Sequence, residues 1–422
     1  PMIHEFGWAE DDWDRLCAGT IAGHLLECGA QVSGGNYTDF HEVPLDSPKG
    51  WMGYPIAEVE ANGDFVLTKH PGTAGLVNVK SVTEQLLYEI GDPRAYMTAD
   101  VTADLTSVKV EQIGPDRVRV TGARGKPVTP TLKVSAVYIH GWKATGMVLL
   151  SGPRVRDKAA FLSKIVWDRV GRDFADARAD LIGADACWLG AAPAVEPNEG
   201  ILRFGVRDGD KKKVERFSNM LLGFGLQGPP GLGMLGGRPE VTEAFAFWPT
   251  LVPREHLTAR VEVADGDDRR TAVVPASVRG AQALELAPPT PPVPAEFPGP
   301  RRKARLYDIA IARSGDKGDS SNVGVAARSE ESWRFLRAEL TAERVAAYYR
   351  DLCRGGVERF ELPNLRALNF LLRGALGGGG TLSLRADHQG KTLGQGLLLM
   401  ELDVPETVLA SVVAVGSPKG RT

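Results

Sequence analysis

Cysteine is scarce in this sequence: four in 422 residues, at positions 17, 28, 187 and 353. They form no CxxC pair and have no Cys/His spacing, so neither a zinc site nor a disulfide framework is indicated, and a reducing cytoplasm is the expected compartment. Long apolar runs are missing as well. None approaches the roughly eighteen residues of a membrane span, and no signal-peptide pattern precedes Met2, so no membrane partner is expected. Charge of one sign is also lacking. A formal net charge of -3 with a pI near 6.3 leaves no electrostatic footprint for nucleic acid, and the short runs Lys211-Lys212-Lys213 and Arg301-Arg302-Lys303 read as solvated surface. Finally, the chain has no nicotinamide fingerprint, no Walker loop and no Gly-x-Ser-x-Gly elbow.

What remains is ordinary for a globular protein of two or three domains: 43% hydrophobic and 24% charged residues. The richest stretch runs from Glu27 to Asp39, ECGAQVSGGNYTD, at the end of an amphipathic pattern. Trp13, Leu16, Cys17, Thr20, Ile21, His24, Leu25 and Cys28 recur three and four apart and predict one buried face of a helix starting near Ala9. Gly29 and Gly34-Gly35 then let the backbone turn, while Gln31, Ser33, Asn36 and Thr38 offer donors and acceptors. His24 and Cys28 lie one helical turn apart, the reach of an imidazole-activated thiol. A buried cysteine beside a satisfied core histidine is the plainer alternative. Asn36 and Asp39 have the better claim to function, because packing explains a polar side chain after a double glycine less easily.

A hairpin is expected from Ile56 to Thr68 around Asn62-Gly63, leading into TKHPGTAG at Thr68 to Gly75 and a helix whose capping box would be Ser81 and Glu84. Lys69, His70 and Thr73 sit where backbone amides and added charge bind a carboxylate or phosphate. Strand patterns follow at 105–112, 117–122, 131–140 and 146–150, with helical spacing at 158–170 and 212–224 and strands at 201–207 and 243–248. This pattern indicates a mixed α/β or α+β core. The glycine-rich stretch 223–239 is either a lid over a pocket or a long self-packed loop.

The proline-rich stretch 287–300 reads as a stiff extended spacer and the clearest domain boundary. Beyond it, a strand at 305–312, the loop RSGDKGDSSNVG (313–324), a strand at 323–327, a helix at 331–353 and further strands at 358–361, 381–386 and 397–404 suggest a small α+β sandwich. In the loop, Asp316 and Asp319 would hold a divalent cation or orient Lys317 toward an anionic group. The alternative is a charged hairpin tip that caps its own backbone.

With those loops in view, the chain resembles the acyclic terpene utilisation family of AtuA-like proteins. The resemblance is carried by GTIAGHLLECGAQVSGGN (19–36), PIAE (55–58), TKHPGTAG (68–75), VTEQLLYEIGD (82–92) and SGDKGDSSNVG (314–324). It implies a role in degrading branched isoprenoids carried as CoA thioesters, a large α/β core over 1–286 with a subdivision near 145, the linker 287–300, a C-terminal ferredoxin-like domain over 301–405 and a tail over 406–422. The family usually has an additional stretch before the position of Pro1, so a missing or separate N-terminal piece that completes the pocket is expected. Together these readings predict an enzyme of hydratase, dehydratase or lyase type acting on a carboxylate or acyl-CoA substrate, with a non-catalytic scaffold subunit as the other reading. His70, Asp316 and Cys28 are the expected catalytic groups, and Asn36, Ser33, Lys69, Thr73, Lys317 and Asn322 the expected substrate-binding groups. The expected cofactor is a divalent cation on Asp316 and Asp319, with CoA as part of the substrate. The expected partners are a small acyl substrate and further copies of the chain.

Overall fold

A computed structural model describes residues 2–184, 186–192, 195–275 and 280–416. The N-terminal unit begins with helices α1 (Met2–Phe6) and α2 (Trp13–Leu26). Asp12 accepts from the Arg15 backbone amide and caps α2, so the helix starts there and not near Ala9. Strands β1 (Pro55–Val59) and β2 (Phe65–Lys69) form the expected hairpin. Helix α3 (Val79–Leu86) follows. Its N-cap is Asn78, paired with Ser81 in a capping box, so Ser81 lies one turn further into the helix than the sequence suggests and Glu84 is drawn into the interior.

Strands β3 (Tyr96–Met97), β4 (Thr102–Asp104), β5 (Lys109–Gly114), β6 (Arg117–Thr121) and β7 (Arg124–Lys126) complete the unit. They build a four-stranded antiparallel sheet in the order β1-β2-β6-β5 and a three-stranded sheet in the order β3-β4-β7.

In the middle unit one strand, β8 (Thr131–Ser151), replaces the two expected at 131–140 and 146–150. It is followed by α4 (Val155–Val170), β9 (Asp176–Ile182), β10 (Glu199–Asp208), α5 (Lys211–Leu221), β11 (Leu232–Leu235) and β12 (Thr242–Pro253). The second half of β8 pairs with β10, and Phe204 and Val206 of β10 pack with Leu162 and Val166 of α4 and Phe217 of α5 in a core of their own. The first half pairs only with β12, as a two-stranded ribbon. Part of the glycine-rich stretch is β11, which is hydrogen-bonded to β8 and so belongs to the sheet. Strands β13 (Thr258–Asp265) and β14 (Asp268–Pro275) then pair with each other alone.

The C-terminal domain contains β15 (Arg301–Arg305), β16 (Ala310–Lys317), β17 (Ser320–Ala327), α6 (Glu330–Glu339), α7 (Ala342–Tyr348), β18 (Val357–Leu362), β19 (Ala367–Leu372), α8 (Leu393–Leu398), β20 (Glu401–Pro405) and α9 (Glu406–Gly416). Its main antiparallel sheet has the order β16-β17-β19-β18, and β15 pairs with β20. Several expectations need correction here. The 313–324 segment is a tight hairpin and not a loop, since β16 and β17 are joined by Gly318-Asp319 alone. The single helix expected at 331–353 is two helices, broken where Thr341 caps α7. No strand forms at 381–386, and the segment at 397–404 divides into the end of α8 and β20. The expected tail contains α9, whose Val408 and Leu409 are buried, while 417–422 lie outside the described residues.

The two ends of the chain share one core. Ile311, Ala326, Leu362 and Ala367 of the C-terminal sheet pack with Leu86, Leu87 and Ile90 beyond α3 and with Val32. Contact at this seam is close because Gly315 and Gly324 carry no side chain. A Cβ at Gly324 would lie 2.5 Å from Leu87 Cβ, and one at Gly315 would lie 2.6 Å from Glu89 Cγ. Gly324→Ala therefore forces the end of α3 off the sheet and is expected to cost about 1–3 kcal/mol, readable as a lowered urea midpoint. An unchanged midpoint would show that the seam is looser than its geometry.

Candidate functional site

The turn that ends α3 lies directly against β16 and β17, and two buried asparagines hold it there. Asn322 Nδ2 donates to Leu87 O at 2.7 Å, and Asn369 Nδ2 donates to Gly91 O at 2.6 Å. These bonds satisfy two carbonyls of the turn that follows α3. Glu89 sits in this turn with φ of 53°, a left-handed conformation that side chains other than glycine rarely adopt.

The turn presents Tyr88 and Glu89 to charged residues from the C-terminal domain. Lys391 Nζ donates to Glu89 Oε1 at 2.5 Å, to the Tyr88 hydroxyl, and to Asp316 Oδ1 at 3.3 Å. Asp387 fixes the Lys391 segment by accepting from the backbone amides of Lys391 at 3.0 Å and Thr392 at 2.8 Å. Arg313 lies over the Tyr88 ring, with its carbon 5.0 Å from the ring centroid, and donates to Asn36 O and Gln31 Oε1. Burial opposes the charge on Glu89, but the bonds from Lys391 and Tyr88 outweigh it and lower its pKa.

Lys317 stands at the tip of the same hairpin. Among the described residues it makes no hydrogen bond and no ion pair, although Glu89 and Asp316 are near enough to favour its charge. Crowding by protein atoms desolvates it and, helped by the like charge of Lys133, lowers its pKa despite those carboxylates. Its side chain nonetheless reaches solvent. Arg313 and Lys391 beside it are already bonded, whereas the Lys317 side chain is not, among the described residues.

The expected site residues divide into two sets. Cys28, Asn36, Asp316 and Lys317 come together around Arg313 and Glu89. Burial raises the Cys28 thiol above its ordinary pKa, so it is no activated nucleophile, and the His24 ring is engaged elsewhere, with Nε2 against Gln85 O at 2.9 Å. The remaining residues have structural partners. Lys69 donates to Thr73 O at 2.8 Å and pairs with Asp116 at 3.3 Å, and Thr73 Oγ1 donates to His70 O. His70 is exposed and accepts from Lys49 at 2.7 Å. Ser33 is fully buried and donates to Gly53 O, and Asn322 is buried inside β17.

Asp39 is also buried, with both carboxylate oxygens bonded by Arg328 at 2.6 Å, so it ties its loop to the C-terminal sheet. The two carboxylates expected to hold a cation each have a partner: Asp319 accepts from the Gly378 amide at 2.6 Å, and Asp316 accepts from Lys391 at 3.3 Å. Among the described residues no group of three or more His, Cys, Asp or Glu could hold a metal. Two surface grooves lie apart from the seam. One of about 640 Å³ is lined by Ser151, Lys158, Phe161 and Pro230, and one of about 570 Å³ by Arg301, Arg344, Tyr348 and Met400.

Sequence reasoning missed Glu84, Tyr88, Glu89, Arg313 and Lys391. The first three lie within VTEQLLYEIGD and Arg313 adjoins SGDKGD, but Lys391 sits in a stretch without any pattern. Glu84 is the carboxyl of this set that burial perturbs most. Burial raises its pKa to about 7 against a reference of 4.5, even though the Thr38 amide donates to both of its oxygens at 3.2 Å. A carboxyl whose folded-state pKa is raised holds its proton better in the folded chain. Its stabilising effect is complete below pH 4.5 and is lost as pH rises through about 7. Glu84→Gln should remove on the order of 3 kcal/mol of this pH-dependent loss. The variant should then be the more stable protein at pH 8 in urea titrations, with the gap closing toward pH 5. A gap independent of pH would refute the assignment.

A family profile described as acyclic terpene utilisation family protein AtuA matches residues 1–263, and one described as AtuA ferredoxin-like domain matches 304–403. No match was found among curated proteins or solved structures. The first match covers more than half of the chain and the second coincides with the sheet that carries Lys317, so the protein belongs to the acyclic terpene utilisation family AtuA.

Proposed function

We propose that the protein is an enzyme of acyclic terpene or branched-chain acyl catabolism that acts on a carboxylate or acyl-CoA substrate by dehydration, hydration or carbon–carbon cleavage, at the seam between the N-terminal unit and the C-terminal domain. The observation that carries this reading is the placement of Lys317: it reaches solvent, makes no side-chain hydrogen bond or ion pair among the described residues, and stands beside Asp316, Glu89 and Lys391, with its pKa pushed down by the protein atoms around it. A lysine whose pKa is lowered gives up its proton more readily than an unperturbed one and suits general base work.

In a dehydration, neutral Lys317 takes the proton from the carbon beside the carbonyl and that electron pair forms the carbon–carbon double bond. The leaving hydroxyl departs as water on taking the proton back from the Lys317 ammonium. An apolar chain has a surface to lie on. The ribbon face bearing Lys133 also carries Val137, Ile139 and Leu251, each more than half exposed.

A scaffold role is the second reading, favoured by the exposed β13–β14 hairpin and by the retirement of Lys69, His70 and Thr73 to structural bonds. The two readings separate by incubating the protein with geranyl-, citronellyl- and methylcrotonyl-type CoA thioesters and following products by mass spectrometry. The enzyme reading expects turnover that falls about 10²–10⁴-fold in Lys317→Ala. Lys69→Ala should lose stability while keeping its rate per folded molecule. Absence of turnover with all three thioesters, or equal turnover in Lys317→Ala, overturns the enzyme reading.

A further inference from the structure

Strands β13 and β14 form a sheet of two, and every residue from 258 to 274 is exposed. A lone two-stranded hairpin is marginal in water, and the eight-residue edge of β13, unpaired among the described residues and without proline or bulge, is a template for another strand. The register settles which backbone groups of β13 are free. Asp265 faces Asp268 across a two-residue turn, so the odd-numbered residues of β13 bond to β14 and the even-numbered ones, Thr258, Arg260, Glu262 and Ala264, point outward.

We propose that β13 pairs antiparallel with β13 of a second copy of this chain, about a two-fold axis at Val261. In that register the outward-facing residues bond to each other, Arg260 lies opposite the partner copy's glutamate at 262 and Glu262 opposite its arginine at 260. On the other face Val261 meets its own counterpart and Ala259 meets the valine at 263. Charge and apolar character are therefore both self-complementary, as an isologous contact requires. The outer edge of β14 has no such match: centring it on Thr271 places Arg269 against Val273 and Arg270 against Ala272, and centring it on Ala272 places Arg270 against Val274. The result is a continuous four-stranded sheet across the dimer, formed by strand addition.

The test is light scattering coupled to size exclusion, on the full chain over a range of concentrations. Wild type should be dimeric. Glu262→Arg alone and Arg260→Glu alone each set like charges opposite one another twice and should weaken the dimer at least about tenfold. An equimolar mixture of these two variants should restore a dimer containing both chains, because 260 and 262 are then oppositely charged across the axis. The double variant Arg260→Glu/Glu262→Arg should dimerise like wild type. Both positions are fully exposed, and unchanged circular dichroism separates loss of pairing from loss of fold. A monomeric wild type, an oligomer indifferent to the single reversals, or a mixture that stays monomeric would each overturn the proposal.

Discussion

The structure depends on how a helix ends. The carbonyls beyond α3 find their donors in Asn322 and Asn369, side chains more than 230 residues away in sequence. Because those asparagines lie in β17 and β19, capping the helix and docking the C-terminal domain are one event. Glu89 then pays for its left-handed backbone, about 1–2 kcal/mol for such a residue, with the bond from Lys391 that the docked domain supplies. Neither half of the seam is complete without the other: the N-terminal unit brings the acid and the phenol, and the ferredoxin-like domain brings the lysines.

Charge is used in two ways around this joint. Asp39 with Arg328, and Arg359 with Glu361, are buried and bonded on more than one side, which offsets the desolvation that burial imposes. Such pairs fix the register between elements, and removing one partner would strand the other. Lys317 is treated differently, since it loses water without gaining a bond. Among the described residues, the fold satisfies Arg328 and Arg359 fully while leaving the Lys317 side chain at the mouth of the seam without a hydrogen bond or ion pair.

Much of the architecture was legible because it is local. The β1–β2 hairpin follows from Asn62-Gly63, and α4 and α5 follow from helical spacing. The errors have physical causes. Glycines in 313–324 suggested a loop, whereas Gly315 and Gly324 are there for close approach of α3 to a strand. Polar residues in the same segment also have structural bonds that composition does not show, Asn322 to Leu87 O and Asp319 to the Gly378 amide. The site was half legible for the same reason. Cys28, Asn36, Asp316 and Lys317 stand in segments of unusual composition, but their convergence depends on Glu89 and Lys391, and nothing local to Lys391 announces a contact made 302 positions away.

The proline-rich segment shows what this joint implies for access. A stiff spacer between independent domains would allow them to hinge apart and admit a ligand from any side. Here the segment is strapped down instead. Arg94 donates to the carbonyls of Ala287 and Pro288 from the N-terminal unit, and Arg359 donates to those of Thr290 and Pro291 from the C-terminal domain. With the shared core beneath and the strap alongside, opening the seam would cost both apolar burial and these charged hydrogen bonds. The seam meets solvent at Lys317, beside the β8–β12 ribbon that carries Lys133. The ribbon is exposed on both faces and is held chiefly at its ends, by the sheet at one and by Arg254 bonded to Thr129 O and Ala99 O at the other. Of the elements around the seam, it is the one that can shift without breaking a core, since the first half of β8 pairs with β12 and packs in none of the buried clusters described.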